Sequence, residues 1–161
     1  MTNDFREVAI INTAEDKKLN PEELLRSGQA ISISPQGYSM YPLIYPGRDR
    51  VVIEPIADEY RLKRGDVVLF RGKGNVLELH RIAKTVNGAY YIVGDNQKEM
   101  EGPIEEAAIC GIVTEINRKG KKIDTANGWY KFVTGIWLFL RPIRPAISKT
   151  IHFFKTIGKK H

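Results

Sequence analysis

Cysteine is scarce in this sequence, which has one, Cys110, among 161 residues. A single cysteine excludes an internal disulfide and any metal site that is built from several thiolates. The three histidines, at positions 80, 152 and 161, do not have the spacing of a zinc-ligand cluster. We therefore expect no cofactor and no metal, and any chemistry must come from ordinary side chains.

Long hydrophobic runs are also missing. The longest uncharged apolar stretch covers residues 132–140, between Lys131 and Arg141, whereas a helix that crosses a bilayer needs about 20 residues. The N-terminus lacks the basic start and the apolar run of a secretory signal. The sequence therefore predicts no membrane-spanning segment and a cytoplasmic location.

The composition is that of one globular domain. Hydrophobic residues make up 42% and charged residues 27% of the chain, as is usual for a folded protein. The 14 glycines and eight prolines are too few for a collagen-like or disordered chain.

Positive charge is concentrated at the C-terminal end. The net charge is +6, and residues 129–161 contain seven Lys or Arg and no Asp or Glu. The rest of the chain is close to neutral, with 18 basic and 19 acidic residues. A nucleic-acid-binding body would carry its own basic face, so no nucleic acid is expected as a partner.

The residue composition changes at two points along the chain, which divides it into three regions. Residues 1–30 are a polar lead-in with one short helix, which Asn20 caps, Pro21 begins and Gly28 ends. Residues 31–124 predict an antiparallel β core, because short runs rich in β-branched and aromatic residues alternate with Gly and Asn turns. One of these turns, Asn87-Gly88, is typical of a type I′ hairpin. The predicted strands cover residues 31–34, 50–54, 66–71, 76–84, 89–93, 109–117 and 121–124.

Residues 125–161 form a basic, aromatic tail with seven of the 15 aromatic residues of the chain. We predict an amphipathic helix from Pro145 to Gly158, in which Ile147, Ile151 and Phe154 share one face. Two interpretations stay open. The segment from residue 129 onward lies peripherally on an anionic membrane from the inner side, or it packs on the β core or on a partner.

Four short motifs concentrate the residues that can carry chemistry. They are Gly-Tyr-Ser-Met-Tyr-Pro at 37–42, Arg-Gly-Asp-Val-Val at 64–68, His-Arg-Ile at 80–82 and Gly-Asp-Asn at 94–96. Ser39 and His80 are 41 residues apart, and His80 and Asp95 are 15 apart. In this order and spacing, the set resembles the signal peptidase I family, in the clan shared with LexA-type self-cleaving proteins. The match is to the branch that has His in place of Lys.

The resemblance implies an all-β catalytic core and a serine endopeptidase. Ser39 would attack the peptide carbonyl, and His80 would accept its proton and return it to the leaving amine. These roles are chemically consistent, because a serine hydroxyl needs an adjacent base to act as a nucleophile and an imidazole titrates near neutral pH. The expected partner is a peptide or protein substrate, such as an extended leader or signal-type peptide.

Two carboxylates compete to orient His80. Asp95 matches the acid of the family's Gly-Asp-Asn motif, and Glu101 stands six residues later, where this branch has a second acid. Glu101 is the favoured direct partner, and Asp95 is the alternative, with bracing of the loop as its structural role.

The residues around the nucleophile are expected to handle the substrate. Many signal peptidases have a serine where this chain has Gly37, so backbone N–H groups, first that of Ser39, would stabilise the oxyanion. Tyr38 and Met40 would shape a shallow apolar pocket. Two other functions remain as alternatives: a non-catalytic peptide-binding module of the same fold, and a LexA-type self-processing regulator.

Overall fold

A computed structural model describes residues 8–11 and 20–143 of the chain, and this part is mainly β. It contains nine strands and two α-helices. In chain order they are β1 (Ala9–Ile11), α1 (Pro21–Arg26), β2 (Ile31–Ile33), β3 (Asp49–Glu54), β4 (Val67–Arg71), β5 (Leu77–Val86), β6 (Ala89–Val93), β7 (Glu101–Ile104), β8 (Ile109–Arg118), β9 (Lys121–Asp124) and α2 (Gly128–Phe139). Single 3₁₀ turns cover Glu106–Ala108 and Arg141–Ile143.

The strands form one mostly antiparallel sheet in the order β1-β2-β3-β8-β4-β5-β6-β7, and β9 pairs with β8. The expectation of an antiparallel core is confirmed for every pair except β1 and β2, which run parallel. A parallel pair needs a long crossover, and the chain between these two strands includes α1.

The sequence predicted seven of the strands and the first helix correctly. Helix α1 begins at Pro21, and the side chain of Asn20 accepts a hydrogen bond from the Glu22 N–H. Asn87 and Gly88 both have positive φ angles, of 51° and 80°, as a type I′ turn between β5 and β6 requires. The mainly β fold class is therefore confirmed.

Three elements were not predicted. Strand β1 has three residues, and β7 has the sequence Glu-Gly-Pro-Ile, which has little strand propensity; both form by pairing with a neighbouring strand. Helix α2 lies in the tail, nearer the core than the helix expected at 145–158, which falls outside the described residues.

Apolar side chains pack on both faces of the sheet. Alternation along β4 sends Val67 and Leu69 into a core that also contains Leu25 of α1. Val68 and Phe70 enter a second core on the opposite face. Strand β4 is therefore covered on both sides, which makes the neighbouring strand β5 a rigid support for the side chains described next.

Candidate functional site

Ser39 lies in a tight turn that follows β2. Gly37 has a φ angle of 77°, which favours glycine, because side chains rarely tolerate this conformation. Met40 is 3% exposed and belongs to the core around Leu25. Tyr38 instead points outward, 54% exposed, with its ring against those of Tyr41 and Tyr45. The turn is thus anchored by Met40 on one side of the serine and open on the other.

The Gly94-Asp95-Asn96 turn holds the backbone of Ser39. The Asn96 N–H donates to the Ser39 carbonyl oxygen at 2.8 Å. A Cβ on Gly94 would lie 2.7 Å from that same oxygen, which is too close for any side chain. Glycine at 94 therefore permits the contact between two motifs that are 55 residues apart in the chain.

An open groove of about 460 Å³ runs beside the serine. Ser39, Gly37 and Met40 line it, whereas Tyr38 does not. Its other walls include residues 33–36, at the end of β2 and directly after it, and residues 77–79 at the start of β5. The lining is largely apolar, and Glu78 is the acidic side chain in it.

His80 is held in the middle of β5. It pairs with Val68 of β4, its ring lies 5.6 Å from that of Phe70, and it is 1% exposed. Side chains two residues apart share one face of a strand, so Glu78 and His80 point the same way. The fully paired neighbour β4 fixes the position of the imidazole.

Two carboxylates lie at the two nitrogens of this ring. Oε1 of Glu101 is 3.4 Å from Nδ1, and Oε2 of Glu78 is 3.9 Å from Nε2. The contact at Nδ1 has the length of an ion pair without the direction of a hydrogen bond, so Nδ1 is buried and not hydrogen-bonded. A buried, unsatisfied nitrogen costs about 1–3 kcal/mol, so its place in the fold needs an explanation, of which a catalytic role is one.

Burial lowers the pKa of His80 below its ordinary value of 6.5. The negative charges of Glu101, Glu78 and Asp95 act in the opposite direction, and burial outweighs them. The imidazole is therefore neutral at neutral pH, the state in which it can accept a proton.

The groove of Ser39 is lined by the strand neighbours Glu78 and Leu79, and His80 is not part of its lining. Within residues 8–11 and 20–143, no hydrogen bond joins the Ser39 hydroxyl to the imidazole. Glu78 connects the two, because it lines the groove of Ser39 and approaches Nε2 of His80. Catalytic hydrogen bonds are often long in free enzymes and shorten when substrate binds.

Asp95 contacts Arg81 rather than His80. Its two oxygens accept from Nε and Nη2 of Arg81 at 2.9 and 2.8 Å, and both side chains are fully buried. Arg81 also donates to the Gly65 carbonyl at 2.8 Å. The Arg-Gly-Asp and Gly-Asp-Asn motifs are therefore joined through Arg81, and Asp95 braces this junction.

Helix α2 supports the same junction from outside the sheet. The indole N–H of Trp137 donates to the Asp95 carbonyl at 2.8 Å. The Tyr130 hydroxyl accepts from Nη2 of Arg81 at 3.3 Å. Part of the tail therefore packs on the β core, which is one of the two interpretations left open above.

Sequence reasoning missed Glu78, Arg81 and Trp137. The two-residue step from Glu78 to His80 on a predicted strand was a usable signal, because it puts both on one face. A buried arginine beside a candidate histidine, by contrast, has no sequence signature of its own. Trp137 was read only as part of an aromatic segment.

The same cluster has the composition of a cation site. Glu78, His80 and Glu101 each offer a ligand atom, and these atoms lie within 4.8 Å of one another. In the structure, however, the two carboxylates approach different ring nitrogens, Glu101 at Nδ1 and Glu78 at Nε2. The arrangement is better suited to orienting the ring.

Neither the family models nor the curated proteins include a match to this sequence. None of the helices in the described ranges has the length and apolar character to cross a membrane. The functional interpretation therefore rests on the geometry of Ser39, His80 and Glu101.

Proposed function

We propose that the chain is a serine endopeptidase of the signal-peptidase type, which hydrolyses a bond in an extended leader or signal-type peptide. Ser39 is the nucleophile, His80 is the general base and acid, and Glu101 orients His80. The orientation of the imidazole carries the proposal. Nδ1 faces the carboxylate of Glu101, and Nε2 lies nearest to Glu78, a residue that also lines the groove of Ser39; a serine-histidine-acid arrangement needs the acid at one ring nitrogen and leaves the other for the serine.

The reaction follows from these positions. Nε2 of His80 takes the hydroxyl proton as Ser39 Oγ bonds to the peptide carbonyl carbon. The tetrahedral intermediate then collapses, the C–N bond breaks, and His80 gives the proton to the leaving amine. Water attacks the acyl-Ser39 ester with His80 again as base, which releases the acid and restores the serine. Glu101 stabilises the imidazolium that forms in both steps.

The oxyanion would be held by the backbone. The N–H of Ser39 donates to no acceptor within the described part of the chain. A free N–H next to the attacking oxygen is suited to the negative charge that develops on the carbonyl oxygen. The residue at 37 is glycine, so it adds no hydroxyl to this site.

An extended peptide fits the groove through backbone hydrogen bonds. Strand β5 pairs with β6 only from Arg81 onward, so its first residues are paired on one side only, with β4. An extended chain can add to such an edge. It would then lie between residues 77–79 and the segment 33–36, with apolar substrate side chains against Met40.

A fluorophosphonate probe tests this assignment without knowledge of the substrate. Attack by an activated serine displaces fluoride and leaves a phosphonyl ester on its oxygen. We expect peptide mapping to find the label on Ser39, and we expect His80→Ala to slow labelling by about a hundredfold or more. Labelling that is absent from Ser39, or that proceeds equally in His80→Ala, would contradict the proposal.

A peptide-binding module is the second candidate, and the lack of a bond between Ser39 and His80 favours it. This function predicts that peptides bind in the groove and remain intact. Val76→Lys, at the rim of the groove, would then weaken peptide binding. Ser39→Ala would leave the peptides as intact as the wild type does.

A further inference from the structure

Helix α2 has two apolar faces. The inner face packs on the body through Thr134, Trp137 and Leu138, which are 2%, 9% and 7% exposed. The outer face carries Trp129, Phe132, Ile136 and Phe139, followed by Ile143 in the next turn, and these residues are 73%, 58%, 45%, 81% and 52% exposed.

The outer residues form one stripe. They follow one another at steps of three, four, three and four residues. At about 100° per residue, the four of them that lie within α2 occupy an arc of about 80°. A helix that is apolar on both sides is usually covered on both sides, so the outer stripe marks an interaction surface.

The charge around the stripe is positive. Lys131 is the charged residue of α2, Arg141 follows the helix, and no acidic residue occurs from 129 to 161. One concavity of about 370 Å³ beside Trp129 is lined by Arg118, Lys122 and the acidic Asp124, and Arg118 and Lys122 are paired with Asp49 and Glu115. The excess of positive charge near the stripe therefore comes from Lys131 and Arg141.

We propose that the outer face of α2 binds to the surface of an anionic lipid membrane. The aromatic and aliphatic side chains would enter the boundary between headgroups and acyl chains, and the basic groups would contact anionic headgroups. A second copy of the chain is a poorer occupant, because it would bring two positive segments together. This proposal is independent of the chemistry at Ser39.

Membrane binding would also position the candidate site. The inner face of α2 bonds to Asp95 through Trp137, and the adjacent Asn96 holds the Ser39 carbonyl. A rigid chain of contacts therefore links the lipid-facing helix to the nucleophile. The groove would be kept at a fixed height and orientation relative to the bilayer surface.

Flotation with lipid vesicles tests the proposal on the full chain. The probes are vesicles of phosphatidylcholine alone and of phosphatidylcholine with about a quarter phosphatidylglycerol. We expect binding to the anionic vesicles, weakened by salt. The double variant Phe132→Ser/Phe139→Ser should bind about a hundredfold more weakly, or about tenfold per side chain. Val86→Ser, at a residue that is 41% exposed on β5, is the matched control and should bind like the wild type.

Brominated lipids locate the contact. Bromine quenches only nearby indoles, so we expect quenching in the wild type and its loss in Trp129→Phe, with an unchanged thermal transition as the folding check. Ser39→Ala should bind vesicles normally, which separates this proposal from the peptidase. Failure of the wild type to float with either vesicle would overturn the proposal, as would equal binding by the double variant. If the wild type does not bind vesicles but sediments as a dimer, and the double variant sediments as a monomer, then a second copy of the chain is the occupant instead.

Discussion

Glu101 Oε1 lies 3.4 Å from Nδ1 of His80, a buried nitrogen that makes no hydrogen bond in the structure. Strand β7 begins at Glu101 and pairs with β6, so the register of this hairpin places the carboxylate. A small movement of the Glu101 side chain would complete the hydrogen bond. Protonation of His80 in the proposed reaction would favour that movement, because the imidazolium donates from both nitrogens.

Replacing Glu101 by Gln should therefore lower kcat while the fold is retained. The amide keeps the size of the side chain and removes the charge that stabilises the imidazolium, so we expect a loss of about a hundredfold or more. Steady-state kinetics on any cleaved peptide measures it. The exposed neighbour Glu99, changed to Gln, is the control, and an equal loss in both variants would contradict a specific role for Glu101.

Replacing Asp95 by Asn should act mainly on stability. The change leaves Arg81 buried without its charged partner, which typically costs about 3–5 kcal/mol. Denaturant unfolding should show this loss, whereas Asp58→Asn, at an exposed position, should show almost none. If Asp95→Asn unfolds like the wild type but has lost turnover, then Asp95 and not Glu101 is the acid of the site.

The pH dependence of the activity should report the lowered pKa of His80. In the proposed mechanism the neutral imidazole is the base, so kcat/KM should rise with pH along a limb whose midpoint lies below 6.5. Glu78→Gln removes a charge that raises this pKa, and the midpoint should move lower still. A midpoint at or above 6.5 in the wild type would contradict the buried, neutral imidazole.

The same shift predicts how stability changes with pH. Because the folded pKa lies below the unfolded value of about 6.5, the unfolded state binds more protons between the two values. The free energy of unfolding should therefore fall as the pH is lowered through this window, and its contribution from His80 is fully present above about 6.5. His80→Gln should flatten this part of the curve. If the slope is unchanged in His80→Gln, another titratable group causes it, and the prediction for His80 is wrong.

Gly94→Ala should disturb Ser39 without touching its side chain. The new Cβ would lie 2.7 Å from the Ser39 carbonyl, so the backbone has to move, and we expect a loss of activity larger than the loss of stability. Gly135→Ala is the control, since nothing lies within 4 Å of its Cβ, and in a helix it should stabilise by about 0.5–1 kcal/mol. Wild-type activity in Gly94→Ala would show that the two motifs need not be in contact.

Local patterns in the sequence were sufficient for the elements that form from local signals. Asn20 and Pro21 define the start of α1, and Asn87-Gly88 defines the hairpin, because caps and turns depend on a few adjacent residues. Strands β1 and β7 depend on their partners, so their own sequences could not predict them. Tertiary pairing decided these elements.

The residues of the candidate site also fall into those that the sequence predicts and those that only the fold brings into contact. The motifs identified Ser39, His80 and the two candidate acids, but a separation along the chain does not say which carboxylate meets which base. That choice depends on the pairing of the strands in the sheet. In the folded chain Asp95 accepts a hydrogen bond from Arg81, and Glu101 lies beside His80. Glu78 and Trp137 acquire their importance only from three-dimensional contacts.

The central claim is that Ser39 is the nucleophile of a peptidase. Mass-spectrometric comparison of a diverse peptide pool after incubation with the wild type, Ser39→Ala and Ser27→Ala tests it most directly, in the presence and absence of anionic vesicles. The account predicts defined cuts with the wild type and with Ser27→Ala, a serine at the end of α1, and no cuts with Ser39→Ala. Cuts that persist in Ser39→Ala, or a pool left intact by the wild type under both conditions, would contradict it.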